Sequence, residues 1–355
     1  MRVLITGGAG FVGGNLAVAL AERHPEWQVV ALDNLMRRGS ELNLPRLREA
    51  GIEFVHGDVR EPADLGGAGA FEAIVECSAE PSVLAGFADT SYSVQTNLLG
   101  AFNCLERARA EGAFLVFLST SRVYPVDPQL GLELEEAETR FELAAEQPVA
   151  GASSAGIAED FPMAGARTLY GATKLSAEHL IEEYAEAFDL RAVTNRCGVV
   201  AGPWQMGKVD QGVFSWWLLS HLFDRPLSYI GYGGSGKQVR DLLHVDDLVD
   251  LVDLQLGDPE SWSGVTANVG GGREGSLSLL ETTEICRELT GNEVPIGAES
   301  ETRSGDVPVY LSDCALLHSL TSWRPSRGPR DVLADLLAWS AAHEDELRAA
   351  LGFER

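Results

Sequence analysis

The sequence predicts an α/β protein built on a doubly wound parallel sheet, with a smaller C-terminal α/β region. Three observations predict it. Short apolar runs alternate with helical patterns, a glycine-rich turn joins the first run to the first helix, and the second run ends in an acid. At 355 residues the chain is long enough for one two-part unit or two domains. Its 45% hydrophobic and 8% aromatic content is that of an ordinary soluble globular protein.

Residues 2–6 read as a short buried strand. Gly7-Gly8-Ala9-Gly10-Phe11-Val12-Gly13 follows and leads into a helical pattern from Asn15. Glycines at such a junction let the backbone turn tightly and let a pyrophosphate approach the helix N-terminus. A second strand, 28–32, ends in Asp33, twenty residues past Gly13. A Rossmann unit places the carboxylate for the adenosine ribose there. Together these features predict dinucleotide binding. The charge of Asp33 would repel a 2′-phosphate, so NAD is expected. Arg37 and Arg38 follow closely, and a solvated loop is their other role.

The alternation continues. A third strand, 52–56, precedes Gly57-Asp58-Val59-Arg60. A fourth, 73–77, closes on Ser78-Ala79. A helix containing Asn97 leads to a fifth strand, 114–118, which delivers Ser119-Thr120-Ser121-Arg122 to the carboxyl edge of the sheet, where ligands of such sheets sit. Residues 126–168 break the pattern with Glu, Ala, Gly and Pro. A stretch this long is usually functional or mobile, and a cover over the site is expected.

Tyr170-Gly171-Ala172-Thr173-Lys174 comes next. On a helix Tyr170 and Lys174 share a face. A tyrosine hydroxyl titrates near ~10, and an ammonium beside it favours the phenolate. Such a pair can take a proton from a sugar hydroxyl while hydride leaves the same carbon. The same spacing also occurs by chance on surface helices. A sixth strand, 192–197, follows.

Beyond Gly202-Pro203 the region changes. Trp204, Trp216 and Trp217 read as core. Residues 239–245 and 267–270 read as strands, with Asp246-Asp247 capping a helix. Ser278 and Glu281 have capping-box spacing, and 330–351 reads as amphipathic helix.

The formal charge of −26 argues against nucleic acid and anionic membranes as partners, and makes arginine clusters informative for an anionic ligand. Five scattered cysteines without CxxC read as reduced thiols, hence a cytoplasmic location. Met1 leads into a strand rather than a leader, and no apolar run reaches membrane-spanning length. Seven dispersed histidines show no metal-ligand spacing, so no metal is expected.

Taken in order, Thr6 to Gly13, Asp33-Asn34-Leu35, Gly57 to Arg60, Ser119-Thr120 before Val123-Tyr124, Tyr170 to Lys174, Val239-Arg240-Asp241, Asn268 to Gly271 and Arg303-Ser304-Gly305-Asp306 resemble an extended short-chain dehydrogenase/reductase of the NAD-dependent nucleotide-sugar epimerase/dehydratase group. The resemblance covers nearly the whole chain. It implies a Rossmann NAD-binding domain over 1–190, with 238–268 returning to it, and a mainly nucleotide-sugar-binding domain over 191–355.

The resemblance also implies roles. Thr120, Tyr170 and Lys174 would be catalytic. NAD would meet Gly7, Gly10, Phe11, Val12, Gly13, Asp33, Asn34, Asp58, Val59, Ser78, Ala79, Asn97, Tyr170, Lys174 and Cys197. A nucleotide-diphosphate sugar would meet Thr120, Arg122, Val199, Gln211, Arg240 and Arg303. The last two would hold the diphosphate, and their bland role is a surface ion pair. Relatives assemble as homodimers and sometimes tetramers.

Dehydratases of the group follow the threonine with Asp-Glu, where this chain has Ser121-Arg122. Decarboxylases that make UDP-xylose carry glutamate at the place of Arg122. A basic residue there is similar to the 2-epimerases of CDP-linked sugars, as are Phe54 to Arg60, Glu138 to Phe141, Asp210-Gln211-Gly212 and Gly236 to Asp241. Pro125, Val199 and Cys197 depart from the group's pattern. Epimerisation at C2 is therefore expected. UDP-sugar 4-epimerisation, UDP-glucuronate decarboxylation and a non-catalytic NAD-binding sensor are the alternatives.

Overall fold

The computed structural model describes residues 1–82, 89–207 and 212–352. The chain divides into two compact units. The first comprises 1–123, 169–196 and 248–266, and the second comprises 124–168, 197–247 and 267–355.

The central sheet has seven strands: β1 (Arg2–Thr6), β2 (Gln28–Asp33), β3 (Glu53–His56), β4 (Ala73–Glu76), β5 (Phe114–Thr120), β6 (Ala192–Cys197) and β7 (Val265–Val269). Their order is β7-β6-β5-β4-β1-β2-β3. The pairings from β3 through β5 are parallel. The order reverses beside β1, which puts the switch point of the sheet at the end of the strand that feeds the glycine turn.

Three helices matter for the site: α1 (Phe11–Arg23), α2 (Gly100–Glu111) and α3 (Leu169–Phe188). One face of the sheet forms a core with α2 and α3. Leu4, Ile74, Leu115 and Phe117 pack there with Cys104, Leu105, Ala177 and Ile181. Strands buried on both faces read as continuous apolar runs, which is why β1, β4 and β5 stood out without alternation.

In the second unit Val239–His244 is the central strand of a small sheet. It pairs in parallel with Val199–Ala201 and Val309–Tyr310, and antiparallel with Ser276–Ser278. The helix Val213–Leu222 is hemmed in by Leu279–Thr290 and Pro329–Ala342, so Phe214, Trp217, Leu218 and Leu219 are core, while Trp216, like Trp204 before the helix, is only half-buried. Ser278 and Glu281 form the expected capping box, with bonds of 3.0 and 2.9 Å.

Residues 124–168 belong with the second unit, although the sequence placed them with the first. The reason is their pairing: Phe141 N–H donates to the Lys237 carbonyl and Ile157 N–H to the Leu311 carbonyl, each at 2.9 Å. The segment also holds two short hairpins, 134–143 and 152–157, too brief to carry a periodic signal. The C-terminal helix is two, Pro329–Ala342 and Glu344–Leu351. No described helix is long and apolar enough to cross a membrane.

Candidate active site

The glycine turn is tight. Gly7 has φ +62°, and a Cβ on Gly13 would lie 2.3 Å from the Gly7 carbonyl oxygen. A Cβ on Gly7 would stand 3.1 Å from the Ser78 Cα, so the turn rests on the chain just past β4, beside Ala79. Helix α1 starts at Phe11 after Gly10, with no side-chain cap and no acid in its first turn. The first-turn N–H groups of Phe11, Val12 and Gly13 therefore keep their donors and the positive end of the helix dipole for an anion. These residues fit the pyrophosphate of NAD.

Asp33 closes β2 with a buried carboxylate that accepts from the N–H of Ala9 at 3.1 Å and of Leu35 at 2.8 Å. Burial pushes its pKa up, and those backbone bonds oppose the shift. With Gly10 N–H also against it, the carboxylate keeps a lone pair for a ribose hydroxyl. Asn34 reaches Asp58 at 2.9 Å, and Asp58 takes a two-pronged bond from Arg60. That guanidinium holds the Asp58 carboxyl down at about 2. Val59 is buried under the start of α2: a Cβ on Gly100 would lie 2.6 Å from its Cγ2.

Asn97 lies in a π-helical turn, Gln95–Leu99. Such turns displace side chains from the regular helical face. Its Oδ1 accepts from Glu80 N–H at 2.7 Å and its Nδ2 donates to the Glu80 carbonyl at 3.0 Å, which fixes the chain beyond Ala79.

Thr120 is the buried last residue of β5, and its Oγ1 accepts from the Arg122 N–H at 3.2 Å. The Arg122 carbonyl meets α3 at Gly171, where a Cβ would lie 2.0 Å from it. Only glycine permits that approach. The first turn of α3, with half-buried Tyr170, is thus clamped to the segment carrying Thr120 and Arg122. Lys174, one turn on, is buried.

Two carboxylates that sequence reasoning missed complete this face. Glu76, at the end of β4, accepts from Lys174 Nζ at 3.1 Å. Burial alone would lower the Lys174 pKa, but Glu76 and Tyr170 outweigh it and raise it. Glu178 stands one turn past Lys174, bonded by Ser119 and by Arg196 from β6, the latter at 2.8 and 3.1 Å. The signals were present: an acid closing the apolar run Ala73-Ile74-Val75, and Tyr170, Lys174 and Glu178 at i, i+4 and i+8.

In the second unit Cys197 is buried, and Val199 is half-buried opposite Leu242. Arg240 gives Nη2 to Asp306 at 2.5 Å and to the Val307 carbonyl at 2.7 Å, and Nη1 to the Val239 carbonyl at 2.7 Å. The ion pair is therefore present within the chain. Arg303 is half-buried, and its carbonyl accepts from Asp306 N–H at 3.2 Å. Gln211 lies outside the described residues. No group of three His, Cys, Asp or Glu among the described residues is placed to hold a metal ion.

The sequence profile of the NAD dependent epimerase/dehydratase family matches residues 3–270. CDP-paratose 2-epimerase of Salmonella typhi is 27% identical over 353 residues, 96% of this chain and 100% of that protein. A probable UDP-glucuronate 4-epimerase of Rhizobium meliloti is 30% identical and covers 96% of each chain. The crystal structure of Thermus thermophilus UDP-glucose 4-epimerase with NAD superposes with a TM-score of 0.75 at 26% identity, over 96% of this chain and 98% of that one.

Proposed function

The chain belongs to the NAD dependent epimerase/dehydratase family, and from that membership we propose that it inverts one carbon of a nucleotide-linked sugar, C2 of a CDP-sugar of the paratose/tyvelose type. The observation that carries the chemistry is the clamp of Gly171 on the Arg122 carbonyl, which joins Tyr170 and Lys174 to the strand end bearing Thr120. Bound NAD supplies reversible two-electron chemistry, taking hydride from the sugar carbon and giving it back.

The side chains do the rest. Tyr170 as phenolate takes the proton of the sugar hydroxyl. Lys174 lowers the proton affinity of that oxygen and binds the nicotinamide ribose. Thr120 donates to the reacting oxygen. The keto-sugar turns its other face, and Tyr170 returns the proton. Arg303 and Arg240 hold the diphosphate, with Arg240 exchanging its Asp306 bond for a phosphate oxygen.

The choice of C2 and CDP is supported by full-length similarity to CDP-paratose 2-epimerase. It is also supported by Arg122, which stands where the resemblance puts glutamate in decarboxylases and an acid in dehydratases. The full-length similarity to a probable UDP-glucuronate 4-epimerase favours 4-epimerisation of a UDP-sugar as the second reading. A non-catalytic sensor would not need Thr120, Tyr170 and Lys174 together. We also propose a cytoplasmic homodimer that buries the exposed Leu99, Phe102 and Phe188 on the helices carrying Asn97 and Tyr170.

Tyr170→Phe tests the chemistry. Turnover of the accepted sugar nucleotide is expected to fall by about 10²–10⁴, the usual worth of a general acid–base group. Turnover near wild type would remove Tyr170 from the mechanism.

A further inference from the structure

Glu76 and Lys174 form an ion pair that is dry on both sides, each residue being 1% exposed. The ammonium sits 3.1 Å from Glu76 Oε2 and 4.2 Å from the centroid of the Phe117 ring. Taking two charges out of water is costly, and such pairs are weak evidence for stability alone. The Ser78 N–H also lies against this carboxylate, yet Oε1 is buried with no fully formed hydrogen bond among the described residues. A pair retained under those terms calls for a role beyond holding the fold.

The choice of cation is telling. The chain has only three lysines, Lys174, Lys208 and Lys237, and otherwise uses arginine. A guanidinium stays charged in any setting, whereas a buried lysine readily loses its proton. Lys174 is thus a cation whose charge depends on its neighbours.

Those neighbours can be named. Glu76 closes β4, with Cys77 next along the chain. Cys104 on α2 is held neutral, its thiol pushed well up by burial. Tyr170 precedes on α3 itself. Arg122 follows Thr120 on the segment clamped to the first turn of α3. Glu178 follows one turn on, its carboxylate already taken by Arg196 and Ser119.

We propose that Glu76 is a positioning residue for the Tyr170–Lys174 pair: its carboxylate keeps the Lys174 ammonium charged and fixed in a water-free pocket, so that the ammonium is there to make Tyr170 a base. The inference rests on the acid–base reading of the pair given above. Without Glu76 the buried lysine sheds its proton, and the tyrosine loses the cation that favours its phenolate. The acidic limb of the rate profile then moves to higher pH.

Lysine labelled with carbon-13 at Cε, in a chain carrying Lys208→Arg and Lys237→Arg, leaves one lysine signal to titrate by NMR. In the otherwise native chain Lys174 is expected to stay cationic to at least its ordinary value of ~10.4. In Glu76→Gln the midpoint is expected to fall by about two pH units or more, with Glu76→Asp in between. An unchanged midpoint in Glu76→Gln overturns the proposal. So does a midpoint below the ordinary lysine value in the native chain, a result that stands even where Glu76→Gln fails to fold.

The acidic limb of turnover should shift upward in Glu76→Gln, and a limb that stays put also counts against the proposal. The lysine titration involves no turnover. Failure of the Glu76–Lys174 coupling is therefore distinguishable from failure of the acid–base reading, which Tyr170→Phe reports.

Discussion

Glu76 in the first unit and Asp241 in the second are both carboxylates sunk beside strand backbones, and they are held in opposite ways. Glu76 faces an ammonium at 3.1 Å. Asp241 is held by backbone N–H groups, from Ser312 at 3.2 Å and Gly272 at 3.4 Å. Glycines line it on two sides, where a Cβ on Gly270 would lie 2.0 Å from Asp241 Oδ2 and one on Gly198 2.7 Å from Oδ1, and the Ser312 hydroxyl stands beside it. Burial pushes the Asp241 carboxyl up to about 6. Glu76 and Glu178 thus meet cations from α3 and β6, which tie helix to sheet, whereas Asp241 serves as a backbone staple at a cost in proton affinity.

Breaking a cation-held acid should have the largest effect on stability. Glu178→Ala takes the carboxylate from the buried Arg196 guanidinium and the Ser119 hydroxyl, and is expected to destabilise the fold by about 3–5 kcal/mol in denaturant unfolding. A loss under about 1 kcal/mol would mean that the pair contributes no more than a surface bridge.

Asp241→Asn should do the reverse. The folded-state pKa of Asp241 lies above its unfolded value, so proton uptake favours the folded chain. The stability contributed by protonation is complete below pH ~4 and is lost as pH rises through about 6. Asparagine keeps an acceptor for the two N–H groups without the charge. A gain of about 3 kcal/mol at pH 8, vanishing near pH 4, is expected from unfolding curves at the two pH values. A loss at pH 8 would show that the charge itself organises the staple.

The smallest effect belongs to Arg60→Met. Asp58 is depressed to about 2 by Arg60, so this contribution is present above pH ~4 and is lost as pH falls through 2. The pair is partly exposed, and solvent screening leaves about 1 kcal/mol at pH 7. Thermal unfolding at pH 7 and near pH 2 should show that difference shrinking.

The same contrast explains what was legible in the sequence. The glycine turn, Asp33 at the end of β2, Thr120 at the end of β5 and the Tyr170–Lys174 face were readable because local period and spacing place them. Glu76 was not, because its partner is 98 residues away and pairing at that distance leaves no periodic trace. Arg240 and Asp306 were both quoted in the sequence motifs, yet their ion pair spans 66 residues and appears only in the fold. The stretch 126–168 read as a patternless cover because its strands, paired within two local hairpins, are only two or three residues long, too short to leave a period.

The most direct test of the proposed reaction is incubation of the purified protein with a panel of CDP-, UDP-, GDP- and dTDP-linked sugars, with product stereochemistry read by NMR. The proposal predicts inversion at C2 of a CDP-linked 6-deoxy or 3,6-dideoxy sugar, with no net reduced NAD formed. Inversion at C4 of a UDP-sugar with every CDP-sugar untouched, or loss of carbon dioxide, would contradict it.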